Sequence, residues 1–240
     1  MMKIKGIFLL LCAAVTGCAT RPENPAFTEK VMETKYLSFA VWEKDIQKGE
    51  PLRIYIEGDG DPTPRKAVGF ELAKNDPNQN VIYVSRPCQY VDCAECRNPA
   101  LWQEERFNEE IVDEMKSLVV YLAHKYETPA LDLIGYDGGG TMALLIASKI
   151  PVRQVITVGG ILDTQAYSRE QNVILNGLNP ADLTDKLAQV AQVHYVGGRD
   201  KKAPQSGAER FASRLRNAKS VQIKRLPNAD HVELQGLVVE

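Results

Sequence analysis

The stretch Ala130-Leu131-Asp132-Leu133-Ile134-Gly135-Tyr136-Asp137-Gly138-Gly139-Gly140-Thr141-Met142-Ala143 decides how the chain is read. Its first half is a short, nearly continuous apolar run bounded by turn residues, which predicts a buried strand. Its second half is small and apolar and predicts a helix over Gly140 to Lys149. Between them the chain must turn sharply. Glycines on both sides of Asp137 suit a strained turn that lifts one side chain clear while the helix packs close behind it.

Working outward, five more short runs share the character of Ala130 to Gly135: Leu52 to Glu57, Asn80 to Ser85, Gln154 to Val158, Gln192 to Val196 and Ser220 to Arg225. Runs without in-out alternation are expected of parallel strands covered on both faces. Between them, Glu104 to Tyr126 sets Ile111, Met115, Leu118, Val119 and Leu122 three and four apart, and Ala203 to Arg216 is also amphipathic. Strand and helix in repeated alternation predict one α/β layer domain: a mostly parallel central sheet with helices on both faces. In such sheets ligands sit at the carboxyl ends of the strands.

Composition agrees and excludes other classes. The 240 residues carry 29 basic and 31 acidic side chains, a formal net charge of −2, with 44% hydrophobic residues. That is neither a disordered chain nor the strongly basic surface that favours nucleic acid, so no nucleic-acid partner is expected.

The strand ends hold the candidate chemistry. Val196-Gly197-Gly198-Arg199-Asp200 closes one strand, and Asn228-Ala229-Asp230-His231 follows the last. A turn residue, then an acid, then a histidine, each after a successive strand end, is the chain order of a hydrolytic triad. Asp200 would orient and charge-stabilise the imidazole, and His231 would act on a proton or a water. Asp163 is a rival acid ranked below Asp200. Upstream, Glu57-Gly58-Asp59-Gly60 ends the first core strand in a loop whose amides, at Gly58 and Asp59, would join that of Gly138 as oxyanion donors. Glu57 reads as a buried partner for Arg86 or a plain turn residue, and Trp42 and Trp102 as core or pocket-wall residues.

Taken with Ser85-Arg86-Pro87-Cys88-Gln89-Tyr90-Val91 and Asn179-Pro180-Ala181-Asp182, these motifs resemble a family of bacterial α/β-hydrolase-fold lipoproteins over nearly all of the chain after its leader. The resemblance implies an α/β-hydrolase fold, and the short Leu162 to Asp185 span leaves little or no cap. No cofactor is expected, and no metal, because Cys88, Cys93 and Cys96 lack an evident fourth ligand. The near-neutral charge suits a small-molecule substrate. The resemblance carries over Asp200 and His231 as triad members. Family members have serine where this chain has Asp137, so the nucleophile differs. A carboxylate cannot become the alkoxide of ester hydrolysis. Three readings follow: an esterase lineage with altered activity; an aspartate nucleophile attacking alkyl halides or epoxides; and a non-catalytic binding or structural lipoprotein. Haloalkane dehalogenases and epoxide hydrolases of this fold resemble Gly-His-Asp-Trp-Gly-Gly at the turn. Here Gly138 stands where they have tryptophan, and Leu162 to Asp185 is too short for their full cap.

The N-terminus reads separately. Lys3 and Lys5, the apolar run Ile7 to Val15, and Val15-Thr16-Gly17-Cys18 form a secretory leader over residues 1–17, because nine apolar residues do not span roughly 30 Å of hydrocarbon. The ending resembles a lipobox, which implies lipidation of Cys18 and membrane attachment through that lipid, with Ala19 favouring the outer membrane and the periplasmic side. Loss of the leader and its two lysines takes 240 residues to 223 and the net charge from −2 to −4. Residues 18–34 read as the lipidated N-terminus and tether, and residues 35–240 as the single domain. Of the remaining cysteines, a pair among Cys88, Cys93 and Cys96 is expected to form a disulfide in that compartment.

Overall fold

Parallel strands buried on both faces need apolar side chains on both faces, and the central runs supply them. The computed structural model describes residues 21–240 except Asp61, Thr63 and Arg65. The expected leader and Cys18 lie outside the described residues. The chain runs β1 (Phe27–Glu33), β2 (Ser38–Lys44), β3 (Leu52–Ile56), α1 (Val68–Asn75), β4 (Val81–Val84) and α2 (Glu109–Lys125). It continues through β5 (Leu131–Tyr136), α3 (Gly138–Ala147), β6 (Gln154–Val158), α4 (Thr164–Gln171) and α5 (Thr184–Leu187). It ends with β7 (Ala191–Gly197), α6 (Gln205–Arg214) and β8 (Val221–Leu226).

The strands form one sheet in the order β1-β2-β4-β3-β5-β6-β7-β8. From β4 to β8 all neighbours are parallel; β1 and β2 are antiparallel additions. Register places Ile134 of β5 between Tyr55 of β3 and Ile156 of β6. The period of two then sorts side chains to the two faces. Ile54, Ile56, Leu133 and Val155 pack with Ile111, Met115 and Leu118 of α2 and Phe211 of α6. Tyr55, Ile134, Ile156 and Val158 pack on the other side with Phe70 and Leu72 of α1 and with Leu234. Each fully buried Leu or Ile contributes about 2 kcal/mol, so neither face can be left uncovered.

The six expected strands all form. The structure adds two more: β2, which joins the sheet beside β4, and beyond it β1, built from the second half of the span read as tether. Its side chains are mostly exposed, and it is held by backbone pairing with β2, from Phe27 opposite Lys44 to Glu33 opposite Ser38. Helix α2 begins at Glu109 rather than Glu104, because the Asn108 side chain accepts the Ile111 amide at 2.8 Å and caps it. Between β6 and β7 there are only α4, a 3₁₀ turn at Pro180–Asp182, and the single-turn α5, so there is no substantial cap. Among the described residues no helix is long and apolar enough to cross a membrane.

Candidate active site

The turn from β5 into α3 holds Asp137 at φ 51° and ψ −122°, a left-handed strain worth roughly 1–3 kcal/mol. The neighbourhood fixes it. The Asp137 amide donates to the Val158 carbonyl at 3.1 Å, and its own carbonyl accepts from Gly140 at 3.0 Å and Ile161 at 3.3 Å. The glycines are sterically required at two positions. A Cβ on Gly135 would stand 2.1 Å from the Gly139 carbonyl oxygen, and one on Gly139 would stand 2.3 Å from the Ile56 carbonyl oxygen in β3.

Asp200 and His231 converge on this residue. Asp200 follows β7 in a turn where one carboxylate oxygen, Oδ1, accepts the amides of Lys202 at 2.8 Å and Ala203 at 2.9 Å. Its Oδ2 lies 2.7 Å from His231 Nδ1. The Tyr136 hydroxyl donates to the His231 carbonyl at 3.3 Å, and the two rings lie 5.1 Å apart, which holds the imidazole over β5. His231 Nε2 then faces Asp137 Oδ1 at 3.4 Å. Both of these atoms are buried without a hydrogen-bond partner, so they meet as charges across a short gap.

Lys202, which sequence reasoning missed, completes the set. Its Nζ lies 2.7 Å from Asp137 Oδ2. Asp137 is therefore held by one oxygen and presents the other. Burial opposes ionisation of Asp137, but His231 and Lys202 outweigh it and hold the carboxyl below its ordinary range. Burial likewise opposes charge on His231, yet Asp137 and Asp200 push its pKa up to about 9. The Lys202 pKa is raised by Asp137 against its own burial, and Asp200 is lowered, chiefly by His231, against its own. At neutral pH the site holds two carboxylates, an imidazolium and an ammonium.

The neighbouring loop is also charged. Asp59 accepts from Arg86 Nη1 at 2.8 Å and Arg106 Nε at 2.6 Å, and Arg86 donates on to the Arg106 carbonyl at 2.8 Å. This carboxylate packs against Gly138 so closely that a Cβ there would stand 2.0 Å from Asp59 Oδ1. A tryptophan at that position has no room while Asp59 stays. The three expected oxyanion residues divide in role. The Gly58 amide is committed to Glu57 at 2.9 Å, and what Gly58 provides is space, since its Cβ would stand 2.8 Å from the Tyr136 ring. The amides of Asp59 and Gly138 donate to no described backbone acceptor.

Other expectations resolve plainly. Glu57 pairs with the Tyr83 hydroxyl at 2.6 Å and the Gly69 amide at 3.1 Å, not with Arg86. Asp163 caps α4 and pairs with Arg214 at 3.0 Å, away from His231. Trp42 is core, 2% exposed, and Trp102 caps a 3₁₀ turn. Cys88 and Cys96 form the disulfide and Cys93 is free, with all three sulfurs within 4.8 Å of one another. Two surface depressions, of about 770 and 350 Å³, are lined by residues such as Lys30 and Glu43, and Lys66 and Phe70. Neither is lined by Asp137, Asp200 or His231. Asp137 is 1% exposed and lies beneath the Lys202 side chain, which is 38% exposed.

The architecture has solved counterparts. An esterase of Pyrococcus furiosus superposes with a TM-score of 0.65 at 12% identity, over 86% of this chain and 84% of that one. Est1E from Butyrivibrio proteoclasticus gives 0.63 at 10% identity, over 85% and 90%. An acylaminoacyl peptidase of Pyrococcus horikoshii gives 0.61 at 14% identity, over 88% of this chain and 39% of that one. At these identities the likeness establishes the α/β-hydrolase fold. No curated protein matches the chain in sequence. Residues 90–233, which include the strained turn, Asp200 and His231, match the dienelactone hydrolase family, and the chain, so matched over more than half its length, belongs to that family.

Proposed function

We infer that the protein is a lipid-anchored hydrolase of the cell envelope, of esterase lineage, whose triad Asp137, His231 and Asp200 works with a carboxylate nucleophile on a small alkyl halide or epoxide. One observation carries this reading. Asp137, whose carboxyl His231 and Lys202 hold below its ordinary range, is tied down at Oδ2 by Lys202 and leaves Oδ1 without a hydrogen bond opposite His231.

For an alkyl halide the steps balance without a cofactor. Asp137 Oδ1 attacks the saturated carbon, the carbon–halogen bond breaks, and the halide leaves with the bonding pair. Esterified, Asp137 no longer holds a charge against His231. One of the two carboxylates that raise the imidazole's pKa is gone, and the ring releases its proton to solvent. Neutral His231 then takes a proton from water, and the hydroxide attacks Asp137 Cγ, with the amides of Asp59 and Gly138 stabilising the oxyanion. The ester opens, His231 protonates the leaving alkoxide, and the regenerated carboxylic acid returns a proton to His231. The anchor and the envelope location rest on the leader and the Val15-Thr16-Gly17-Cys18 ending alone.

Intact-protein mass spectrometry after incubation with alkyl bromides or epoxides should show an adduct on Asp137, absent from Asp137→Asn. No adduct and no turnover across both reagent classes would leave the binding reading. The esterase lineage has its own check. In Asp137→Ser, His231 keeps only Asp200 and regains the neutral base that a serine needs, so activity on short-chain p-nitrophenyl esters should rise at least tenfold over the parent. A folded Asp137→Ser protein inert on such esters would count against it.

A further inference from the structure

We propose that Lys202 is a conditional site for a small monovalent anion, closed while Asp137 is charged and opened when Asp137 is alkylated, so that it receives the leaving halide. This rests on the carboxylate-nucleophile reading and adds to it the group that takes the departing charge.

The charges around Asp137 differ in what they leave available. On the Gly138 side the volume is filled by the Asp59 carboxylate, already satisfied by Arg86 and Arg106 at 2.8 and 2.6 Å. A leaving anion there would meet a carboxylate. Lys202 instead presents a cation to Asp137: its only ion-pair partner among the described residues is Asp137 Oδ2, at 2.7 Å, with Asp59 acting on it at longer range. The turn that sets Asp200 also sets Lys202, because the Lys202 amide is bonded to Asp200 Oδ1. The ammonium is thus delivered by a fixed backbone.

In the resting protein an anion would have to displace a buried carboxylate from Lys202. Conversion of Asp137 to an ester removes that competitor and leaves an ammonium without its partner beside the new ester. A departing halide supplies the missing charge. The cation rewards the anion only after the bond has begun to break, so it favours the transition state over the ground state. The substrate class is narrowed accordingly to small electrophiles whose leaving group departs as a free anion. Epoxides, whose oxygen stays on the product, gain less.

Asp137→Asn tests this directly, since a neutral amide has the charge of the alkylated side chain. Bromide titrated into Asp137→Asn by calorimetry should bind at least tenfold more tightly than into the parent. Asp137→Asn combined with Lys202→Met should lose that binding, and with Lys202→Arg should keep it. Equal bromide affinity in the parent and Asp137→Asn, or binding that survives Lys202→Met, would overturn the proposal. In trapping with an alkyl bromide, Lys202→Met should slow adduct formation ten- to a hundredfold, with Lys202→Arg restoring most of the rate. An unchanged rate overturns the leaving-group role and spares Asp137 as nucleophile. Bromide held by Lys202 in Asp137→Asn without any adduct in the parent would establish the anion site and remove the nucleophile reading.

Discussion

At the scale of single residues, the pH behaviour of His231 is the sharpest consequence of the charge cluster. Its folded pKa of about 9 stands above the ordinary 6.5. The stabilisation this represents is whole below pH 6.5 and is lost as pH rises through about 9. Asp137 and Asp200 are lowered instead, so their share is present above about pH 4 and is lost as pH falls through their depressed values. His194 acts oppositely on the acid side. Burial pushes its pKa down to about 4, so stability rises from there to pH 6.5. The window from 6.5 to 9 therefore isolates His231. Urea unfolding should show a decline on the order of 1–3 kcal/mol across it, and Asp137→Asn should flatten most of that slope. A slope unchanged by Asp137→Asn would place the cause elsewhere.

The same scale shows what a sequence can and cannot convey. That Asp137, Asp200 and His231 come together at one end of the sheet was legible, because chain order and strand ends locate them. Lys202 was not. It is the second of two adjacent lysines after Asp200, and which of the two turns inward depends on a turn defined by carboxylate-to-amide bonds. The Asp59 side chain was equally hidden, because its partner Arg106 lies in the turn before α2, inside the span Glu104 to Tyr126 that the sequence reads as helix.

At the scale of elements, β5, its turn and α3 act as one unit tied to β3 by close backbone contact. Gly139→Ala would drive a methyl to within 2.3 Å of Ile56 O and 2.5 Å of Glu57 O. Both are backbone atoms of a strand and its end, which cannot move aside cheaply. The substitution should cost at least about 3 kcal/mol, read as a lower urea midpoint at unchanged m-value, with Asp137 displaced and adduct formation lost. The central strands were readable because burial on both faces writes itself as apolar runs. Strands β1 and β2 both escaped: β2 is a buried run with charges at its end, while β1 is an edge strand held by main-chain hydrogen bonds, and its exposed Glu29, Lys30 and Glu33 are the charges that keep such an edge from recruiting further strands.

At the scale of the whole molecule, attachment is a separate and testable property. Cys18→Ala should convert the protein from a membrane-pelleted, detergent-released form to one recovered in the soluble fraction after cell lysis, without changing the folded domain's urea midpoint. Pelleting that persists in Cys18→Ala would dispose of the lipid anchor. The position of Arg21 would give the proposed anchor a direction. Arg21 donates to the Tyr90 carbonyl, in a loop that packs through Gln89 onto the Gly58 carbonyl, beside the triad. Only Ala19 and Thr20 stand between Cys18 and Arg21, so the three steps of chain reach at most about 11 Å. On the proposed reading, a lipid on Cys18 would therefore hold the end of the sheet that carries Asp137, Asp200 and His231 toward the bilayer surface, which sets that end within reach of apolar molecules partitioned into the membrane.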